Sequence, residues 1–152
     1  MSVRIEIYET LSQKLADLNY FEIIDIYKGQ FSDEEANRIS HFPCTFVTIN
    51  SIDYEETMFD LIEGTALIDV HVFFRQFSDT EVGSNEQEEA LEILTIMDTV
   101  VDELQGTSGN FFSELSQVSE EDLSYIYLKP AFKVTFSTII RKRIDNNNYL
   151  LN

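Results

Sequence analysis

Two stretches of the chain show the apolar spacing of amphipathic helices. In residues 3–18, apolar side chains recur every three or four positions, which places them along one face of a helix. They are Val3, Ile7, Leu11, Leu15 and Leu18. Ser2 can cap the start of this helix, and Asn19 can adopt the left-handed conformation that ends it. The pattern therefore predicts a first helix over residues 3–18.

The second helix is predicted over residues 85–105. Ser84 and Gln87 have the spacing of a capping box, and a glycine follows where the helix would end. One broad apolar stripe consists of Ala90, Ile93, Leu94, Met97, Val100, Val101 and Leu104. Leu91 and Ile96 lie outside this stripe by helical geometry. We expect each to need a second partner, either a loop of the same domain or a neighbouring subunit.

Alternation of apolar and polar residues predicts the strands, because neighbouring side chains of a strand point to opposite faces. In residues 65–77 the even positions 68 to 74 are apolar, and most odd positions, His71 among them, are polar. Residues 131–141 alternate in the same way. Gly64 is predicted to form the turn of a long hairpin over residues 54–77. Less regular stretches predict further strands over residues 21–27, 42–49, 52–61, 111–118 and 122–129.

These elements predict an α+β fold with a mainly antiparallel sheet and both helices packed on one face. Long strands that alternate cleanly, in place of continuous apolar runs, favour antiparallel pairing. The length of 152 residues fits one domain. We assign residues 1–143 to this domain, residues 28–41 to a loop within it, and residues 144–152 to a flexible C-terminal tail.

The charge balance limits the possible partners. Ten basic and 28 acidic residues give a formal net charge of -18 at pH 7. Such a charge repels nucleic-acid phosphates and anionic lipids, so we expect neither specific nucleic-acid binding nor a membrane partner. No apolar run approaches the length that spans a bilayer, and no segment has the pattern of a secretory signal. We therefore expect a soluble protein made in a cytoplasm.

The charges are also unevenly distributed along the chain. Residues 76–128 contain many acidic residues and no Lys or Arg, whereas half of the basic residues lie between 129 and 143. Two interpretations remain open: the two regions pair head to tail between copies of the chain, or they neutralise each other within one fold. The candidate subunit-interface residues are Leu91, Ile96, Asp102, Glu103, Lys133, Arg141, Lys142 and Arg143.

Asp102 and Glu103 depart from the usual preferences of a helix end. They lie in the predicted last turn, where the helix dipole favours cations, and their placement costs about 0.3–1 kcal/mol. A basic partner that binds at this end would remove the cost. The other interpretation is an acidic surface without a partner.

The sequence indicates no catalytic residue, no metal site and no cofactor. Cys44 lies among apolar residues and is interpreted as a buried thiol. His71 is on the polar side of its strand with Asp69 and Arg75 nearby, an arrangement that could orient a general base. Cys44 and His41 lack further ligands at metal spacing, and the acidic clusters do not follow a calcium-loop pattern. A small enzyme built around His71 remains a hypothesis.

Taken together, the layout resembles the tail terminator (tail completion) proteins of long-tailed bacteriophages. The resemblance covers residues 1–142 and rests on the order and length of the elements. These are the opening helix, a strand introduced by Phe42-Pro43, the long hairpin that ends in residues 68–73, the helix over 85–105 and the closing strand over 132–140.

The resemblance implies a phage or prophage structural protein with no catalytic residues to carry over. It implies a homo-oligomeric ring, commonly a hexamer, that caps the tail tube and joins it to the head. The implied partners are further copies of the chain together with tail-tube and neck proteins. The implied location is the virion, after assembly in the cytoplasm of the host bacterium. An alternative is an acidic adaptor module, monomeric or dimeric, that binds a basic protein.

Overall fold

The described part of the chain contains three helices and five strands, and some strands pair with partners that are distant in sequence. The computed structural model describes residues 2–30, 41–58, 60–77 and 80–143, without the side chains of residues 56–58 and 143. The elements are α1 (Val3–Asp17), β1 (Ile23–Ile26), β2 (Cys44–Met58), β3 (Leu61–Phe73), α2 (Gln87–Leu104), β4 (Ser116–Asp122), α3 (Ser124–Tyr127) and β5 (Ala131–Arg143). The predicted loop over 28–41 falls largely outside the described residues, and the predicted tail over 144–152 falls wholly outside them.

The strands form a five-stranded sheet in the order β1-β2-β3-β5-β4. The short strand β1 pairs with β2 in parallel, and all other pairs are antiparallel. The long strands β2, β3 and β5 occupy the middle of the sheet, with β3 paired along its whole length to β5. The predicted α+β class with a mainly antiparallel sheet is confirmed.

Both α1 and α2 pack on the same face of the sheet, called the helix face below. The apolar stripe of α1 is buried through Ile7, Leu11 and Leu15, and Ser2 caps the helix through its side-chain oxygen. Asn19 follows with the left-handed φ of 59°, as predicted. The buried core between helices and sheet comprises Ile7, Leu11, Leu15, Val47, Ala66, Ile68, Val70, Val72, Phe74, Ile93, Met97, Val100, Leu104, Phe112, Leu115, Val134, Phe136 and Ile140.

The other face of the sheet, called the second face, carries a smaller apolar cluster at one end. Its buried members are Cys44, Phe46, Phe73 and Ala131, with Tyr27, Phe42, Leu123 and Tyr127 packed around them. Cys44 is fully buried, so its interpretation as a buried thiol is confirmed. Burial raises the pKa of Cys44 to about 12, although Lys129 nearby opposes the shift. The thiol is therefore protonated and unreactive at neutral pH.

The strands predicted over 42–49 and 52–61 are one continuous strand, β2. The register of β2 against β3 shifts between Ile49 and Ser51, which is a β-bulge. An extra residue reverses the phase of the alternation, so Ile49 and Ile52 lie on the same face although they are three positions apart. The pattern of the sequence breaks at this point for that reason.

The prediction that Gly64 forms the hairpin turn is wrong. Gly64 lies within β3, opposite Tyr54, because β2 ends at Met58 and β3 already begins at Leu61. A Cβ on Gly64 would lie 2.9 Å from Cδ1 of Tyr54. The glycine therefore provides the space that the Tyr54 ring occupies.

Two further strand predictions need correction. The strand predicted over 111–118 begins only at Ser116, and β4 extends through the acidic residues to Asp122. The residues before it make one isolated bridge, Phe112 to Ile140. The strand predicted over 122–129 is instead the single helical turn α3, which ends at Leu128 with a left-handed φ of 56°.

The second helix is confirmed with small changes at its start and in its stripe. The predicted capping box is not formed, because the Gln87 side chain accepts a hydrogen bond from the N–H of Gly83 (2.9 Å). Leu94, predicted to be in the buried stripe, is 56% exposed. Ile96, predicted to lie outside it, is half-buried and packs against the core. In the described part of the chain, no helix is long and apolar enough to cross a membrane.

Candidate functional site

The centre of the second face holds a buried polar cluster around Asp69. One carboxylate oxygen of Asp69 accepts a hydrogen bond from the hydroxyl of Thr135 (2.7 Å), and the other accepts one from the amide of Asn50 (2.9 Å). Asp69 and Thr135 are both buried. A buried carboxylate is costly unless donors surround it, and these two donors supply that compensation. The cluster links β2, β3 and β5 across the middle of the sheet.

His71 is buried next to this cluster, beneath Tyr27. The two rings stack with centroids 4.1 Å apart, and the Tyr27 hydroxyl lies 3.2 Å from that of Tyr127. Nδ1 of His71 has no hydrogen-bond partner among the described residues. Burial lowers the pKa of His71 to about 4, with Asp69 opposing the shift and Lys133 adding to it. At neutral pH the imidazole is therefore uncharged.

The residues that flank His71 in sequence do not converge on it. Asp69 is bonded to Thr135 and Asn50, and Arg75 pairs with Glu89 of α2 and lies over the Phe77 ring at 4.2 Å. Neither His71 nor Asp69 lines any of the cavities of about 500, 370, 240 and 180 Å³ described on this molecule. The geometry thus does not assemble the general-base arrangement that the sequence suggested. Across residues 2–30, 41–58, 60–77 and 80–143, no three metal-ligating side chains lie close enough to hold an ion.

Two of the candidate basic residues on β5 are neutralised within the chain. Nζ of Lys133 lies 3.3 Å from a carboxylate oxygen of Glu121 on β4, and Nε of Arg141 lies 2.6 Å from one of Glu63 on β3. The contact between Lys133 and Glu121 matches the interpretation in which the acidic region 76–128 and the basic C-terminal region pair inside one fold, whereas Glu63 lies outside that acidic region. Lys142 is exposed, and the side chain of Arg143 lies outside the described residues.

The candidate residues on α2 are divided between surface and core. Leu91 is 53% exposed and forms, with Leu94, an apolar patch on the outer side of the helix. Ile96 lines the cavity of about 370 Å³ beside Phe77. Asp102 is exposed and Glu103 is half-buried, in a last turn that contains no basic residue. The structure does not bring the α2 candidates together with those on β5.

The most exposed group of large apolar side chains lies on and after α3. Tyr125, Ile126 and Leu128 are 78%, 54% and 77% exposed, and they are called the apolar knob below. Leu128 ends α3 in the left-handed conformation, where glycine is the usual residue. For a residue with a side chain that conformation costs about 1–2 kcal/mol. Leu128 obtains little packing within the chain to offset the cost.

A groove of about 500 Å³ lies on the helix face, beside the edge of β2. Strand β1 ends opposite Val47, and no described strand pairs with this edge of β2 beyond that point. The space between α1 and the exposed edge is called the β2 groove. It is lined mainly by Arg4, Ile7, Tyr8, Ile26, Ile49, Ile52 and Tyr54. Ile26 and Tyr54 are each 49% exposed, so the groove presents apolar surface to solvent.

Two cations border the β2 groove. Arg4 lines it directly, and Lys142 lines the adjoining cavity of about 180 Å³ together with Arg4 and Tyr54. Both side chains are exposed, and neither forms an ion pair with a residue that the structure describes. In a chain of net charge -18, this is a locally basic border around an apolar depression.

No protein-family model matches the chain, and no curated protein matches it either. The knob and the groove are therefore identified by their geometry and chemistry alone. Sequence periodicity did not reveal either of them. The knob residues were predicted to be part of a strand, and the groove exists because β1 is short. The one available signal was the apolar run Tyr125 to Leu128 beside an acidic stretch.

Proposed function

We propose that the chain is the structural subunit of a homo-oligomeric ring in a long-tailed phage or prophage. In this proposal it acts as tail terminators do, capping the tail tube and joining it to the head. Its partners are further copies of itself and the tail-tube and neck proteins. Its location is the virion, after assembly in the host cytoplasm.

The observation that carries this proposal is the apolar knob. Large exposed apolar groups on a protein surface mark sites of association, whereas single exposed residues are ordinary. Tyr125, Ile126 and Leu128 are three such residues within four positions, and one of them is held in an unfavourable backbone conformation. The α+β architecture with both helices on one face agrees with the resemblance in the order of elements.

The test is the mass of the protein in solution, followed by its shape. Light scattering coupled to gel filtration should give one discrete oligomer across a range of salt concentrations, and negative-stain microscopy should show annular particles. Addition of that oligomer to purified tail tubes should produce tubes with one capped end. A strictly monomeric mass at every salt concentration would contradict the proposal.

A second candidate function is supported by the outer edge of β4. All seven residues of this edge strand are exposed, and three of them, Glu120, Glu121 and Asp122, are acidic. An acidic strand with an unpaired edge is suited to a basic protein partner, as an adaptor module would require. This candidate predicts a monomer or dimer that captures a basic protein and releases it when salt is added. The same mass measurement separates the two candidates.

A further inference from the structure

We propose that the apolar knob of one copy inserts into the β2 groove of the next copy, and that this contact links the subunits. The inference rests on the proposed self-association and specifies the surfaces that form it. The occupant of the groove is thus a second copy of this chain, and the residues that enter it are Tyr125, Ile126 and Leu128.

The first argument is the chemistry of the knob. Leu128 occupies a left-handed position that glycine would occupy without strain, and its side chain is 77% exposed. Tyr125, at 78%, is equally unprotected. Neither side chain stabilises the isolated fold in proportion to its size. Both have the character of anchors, which bind in pockets of a partner and carry much of the energy of an interface.

The second argument is that the same chain presents a matching depression. The β2 groove is apolar along its floor and is open at the sheet edge, where the backbone of β2 lacks a described partner strand. Gly64 allows the Tyr54 ring to lie across the sheet, so that Tyr54 and Ile52 form part of this floor. A volume of about 500 Å³ is within the range of pockets that enclose a bound group.

The third argument is the complementarity of charge around the two surfaces. The knob directly follows the acidic end of β4, which contains Glu120, Glu121 and Asp122. The groove is bordered by Arg4 and Lys142, which have no ion-pair partner among the described residues. Apolar anchors that follow an acidic strand end therefore meet an apolar groove with these two cations on its border. This local attraction acts against the repulsion between two chains of net charge -18.

Pairing of sheet edges between copies is the competing arrangement, and the charges oppose it. The edge of β2 carries Asp53 and Glu55, and the edge of β4 carries the acidic residues described above. Joining the two edges would place acidic side chains beside each other, which destabilises strand pairing. Contact through the knob and the groove avoids that juxtaposition.

The positions of the two surfaces make the contact heterologous. The groove lies on the helix face at the β1–β2 edge, whereas the knob lies on the connection between β4 and β5, on the second face, where Tyr127 of α3 packs against Phe73. A contact between two different surfaces leaves one knob and one groove available on every growing assembly. Such contacts continue until the assembly closes into a ring, which requires a rotation between neighbours that divides a full turn; any other rotation gives an open filament.

Two variants remove the two halves of the contact while leaving the fold intact. The knob variant is Tyr125→Ser/Leu128→Gly, and the second substitution also removes the backbone strain. At a concentration where both proteins are monomeric, its Tm should therefore equal or exceed that of the wild type. The groove variant is Arg4→Glu/Ile26→Glu. A carboxylate at position 4 lies in the first turn of α1, where the helix dipole favours it.

Each variant alone should be monomeric at concentrations where the wild type is oligomeric. Loss of one anchor should weaken association by about 30-fold or more. The matched controls are Val82→Ser, which removes a side chain that is 93% exposed outside the knob, and Ile5→Glu, which places a carboxylate on α1 outside the groove. Both controls should keep the wild-type mass.

Mixing the two variants gives the decisive result. The knob variant retains its groove, and the groove variant retains its knob, so an equimolar mixture should form a 1:1 heterodimer and nothing larger. Two monomeric variants that stay monomeric on mixing would overturn the pairing of knob with groove. An oligomeric wild type whose mass the variants leave unchanged would overturn this inference alone. A monomeric wild type would overturn the proposed function as well.

Discussion

Asp69 and His71 lie two positions apart on β3, and their side chains differ in hydrogen bonding. The buried carboxyl group of Asp69 accepts hydrogen bonds from Thr135 and Asn50, one at each oxygen. His71 has a stacked Tyr27 ring above it and a Nδ1 atom without a partner in the described structure. A protonated imidazole would be poorly solvated in this position, so the fold favours the neutral form.

The resulting prediction concerns stability in acid. The pKa of His71 is about 4 in the folded chain, below its value of about 6.5 in an unfolded chain. Between these two values the unfolded chain binds more protons, so stability falls as the pH falls through this window. By pH 4.5 the loss attributable to His71 should be on the order of 2 kcal/mol in the free energy of unfolding. Urea denaturation at several pH values measures it.

The variant His71→Phe isolates this effect, because it keeps a ring against Tyr27 and removes the titrating group. Its stability should fall less than that of the wild type between pH 6.5 and 4.5. The control is His41→Gln, which removes an exposed imidazole that lies 3.3 Å from Glu22, and it should retain the acid loss. Equal slopes for the wild type and His71→Phe would contradict the assignment.

At the scale of elements, the sequence correctly predicted the helices and strands in which apolar residues recur at a constant spacing from end to end. Helix α1 and strand β5 are of this kind, since the stripe of α1 and the alternation of β5 run without interruption. Strand β2 was divided in two because its bulge at Asn50 reverses the phase of the alternation. Helix α3 was mistaken for a strand because its apolar residues, which usually indicate burial, are exposed to solvent.

The candidate site was predictable only in part, for a related reason. Charge counts along the chain selected Lys133 and Arg141, but no count reveals that each has a partner on the adjacent strand. The β2 groove depends on where β1 ends, which is set by long-range pairing. The left-handed backbone at Leu128 is likewise absent from any sequence pattern, because glycine is the residue that normally marks such a position.

Helix α2 offers a prediction about its C-terminal end. Asp102 is exposed in a last turn without a basic residue, so Asp102→Lys should raise the free energy of unfolding by about 0.3–1 kcal/mol. The matched control is Asp98→Lys, which makes the same charge change on an exposed position one turn earlier. Both variants also convert the like-charged pair at positions 98 and 102 into an opposite pair. A larger gain at position 98 than at 102 would contradict a role for the helix end.

At the scale of the whole molecule, the dominant feature is the excess of acidic residues. With 28 acidic and 10 basic side chains, most carboxylates cannot have a basic partner. The ion pairs within the described residues involve side chains that are at least partly exposed, and such pairs contribute little to stability. Repulsion among the remaining carboxylates therefore opposes the compact state. The β2 groove, which is bordered by Arg4 and Lys142, is a local exception to this excess of negative charge.

This balance predicts that salt stabilises the monomeric protein at neutral pH. Raising NaCl from about 0.01 M to about 1 M shortens the Debye length from roughly 30 Å to roughly 3 Å. Screening of the net repulsion should outweigh the loss from the few exposed ion pairs, with a gain on the order of 1 kcal/mol and a Tm increase of roughly 2–4 °C. Thermal unfolding should be followed at a protein concentration where the chain is monomeric, since association itself raises Tm.

The same titration at a pH near the sequence pI of about 4.2 separates the possible causes. There the net charge is close to zero, so screening has no repulsion to relieve, and the rise in Tm should be much smaller. Salt also strengthens the burial of apolar surface, and that effect does not depend on the net charge. An equal rise at both pH values would therefore assign the stabilisation to apolar burial and show that the charge excess costs the fold little. In that case the acidic surface would oppose association between copies, but it would not lower the free energy of unfolding of each copy.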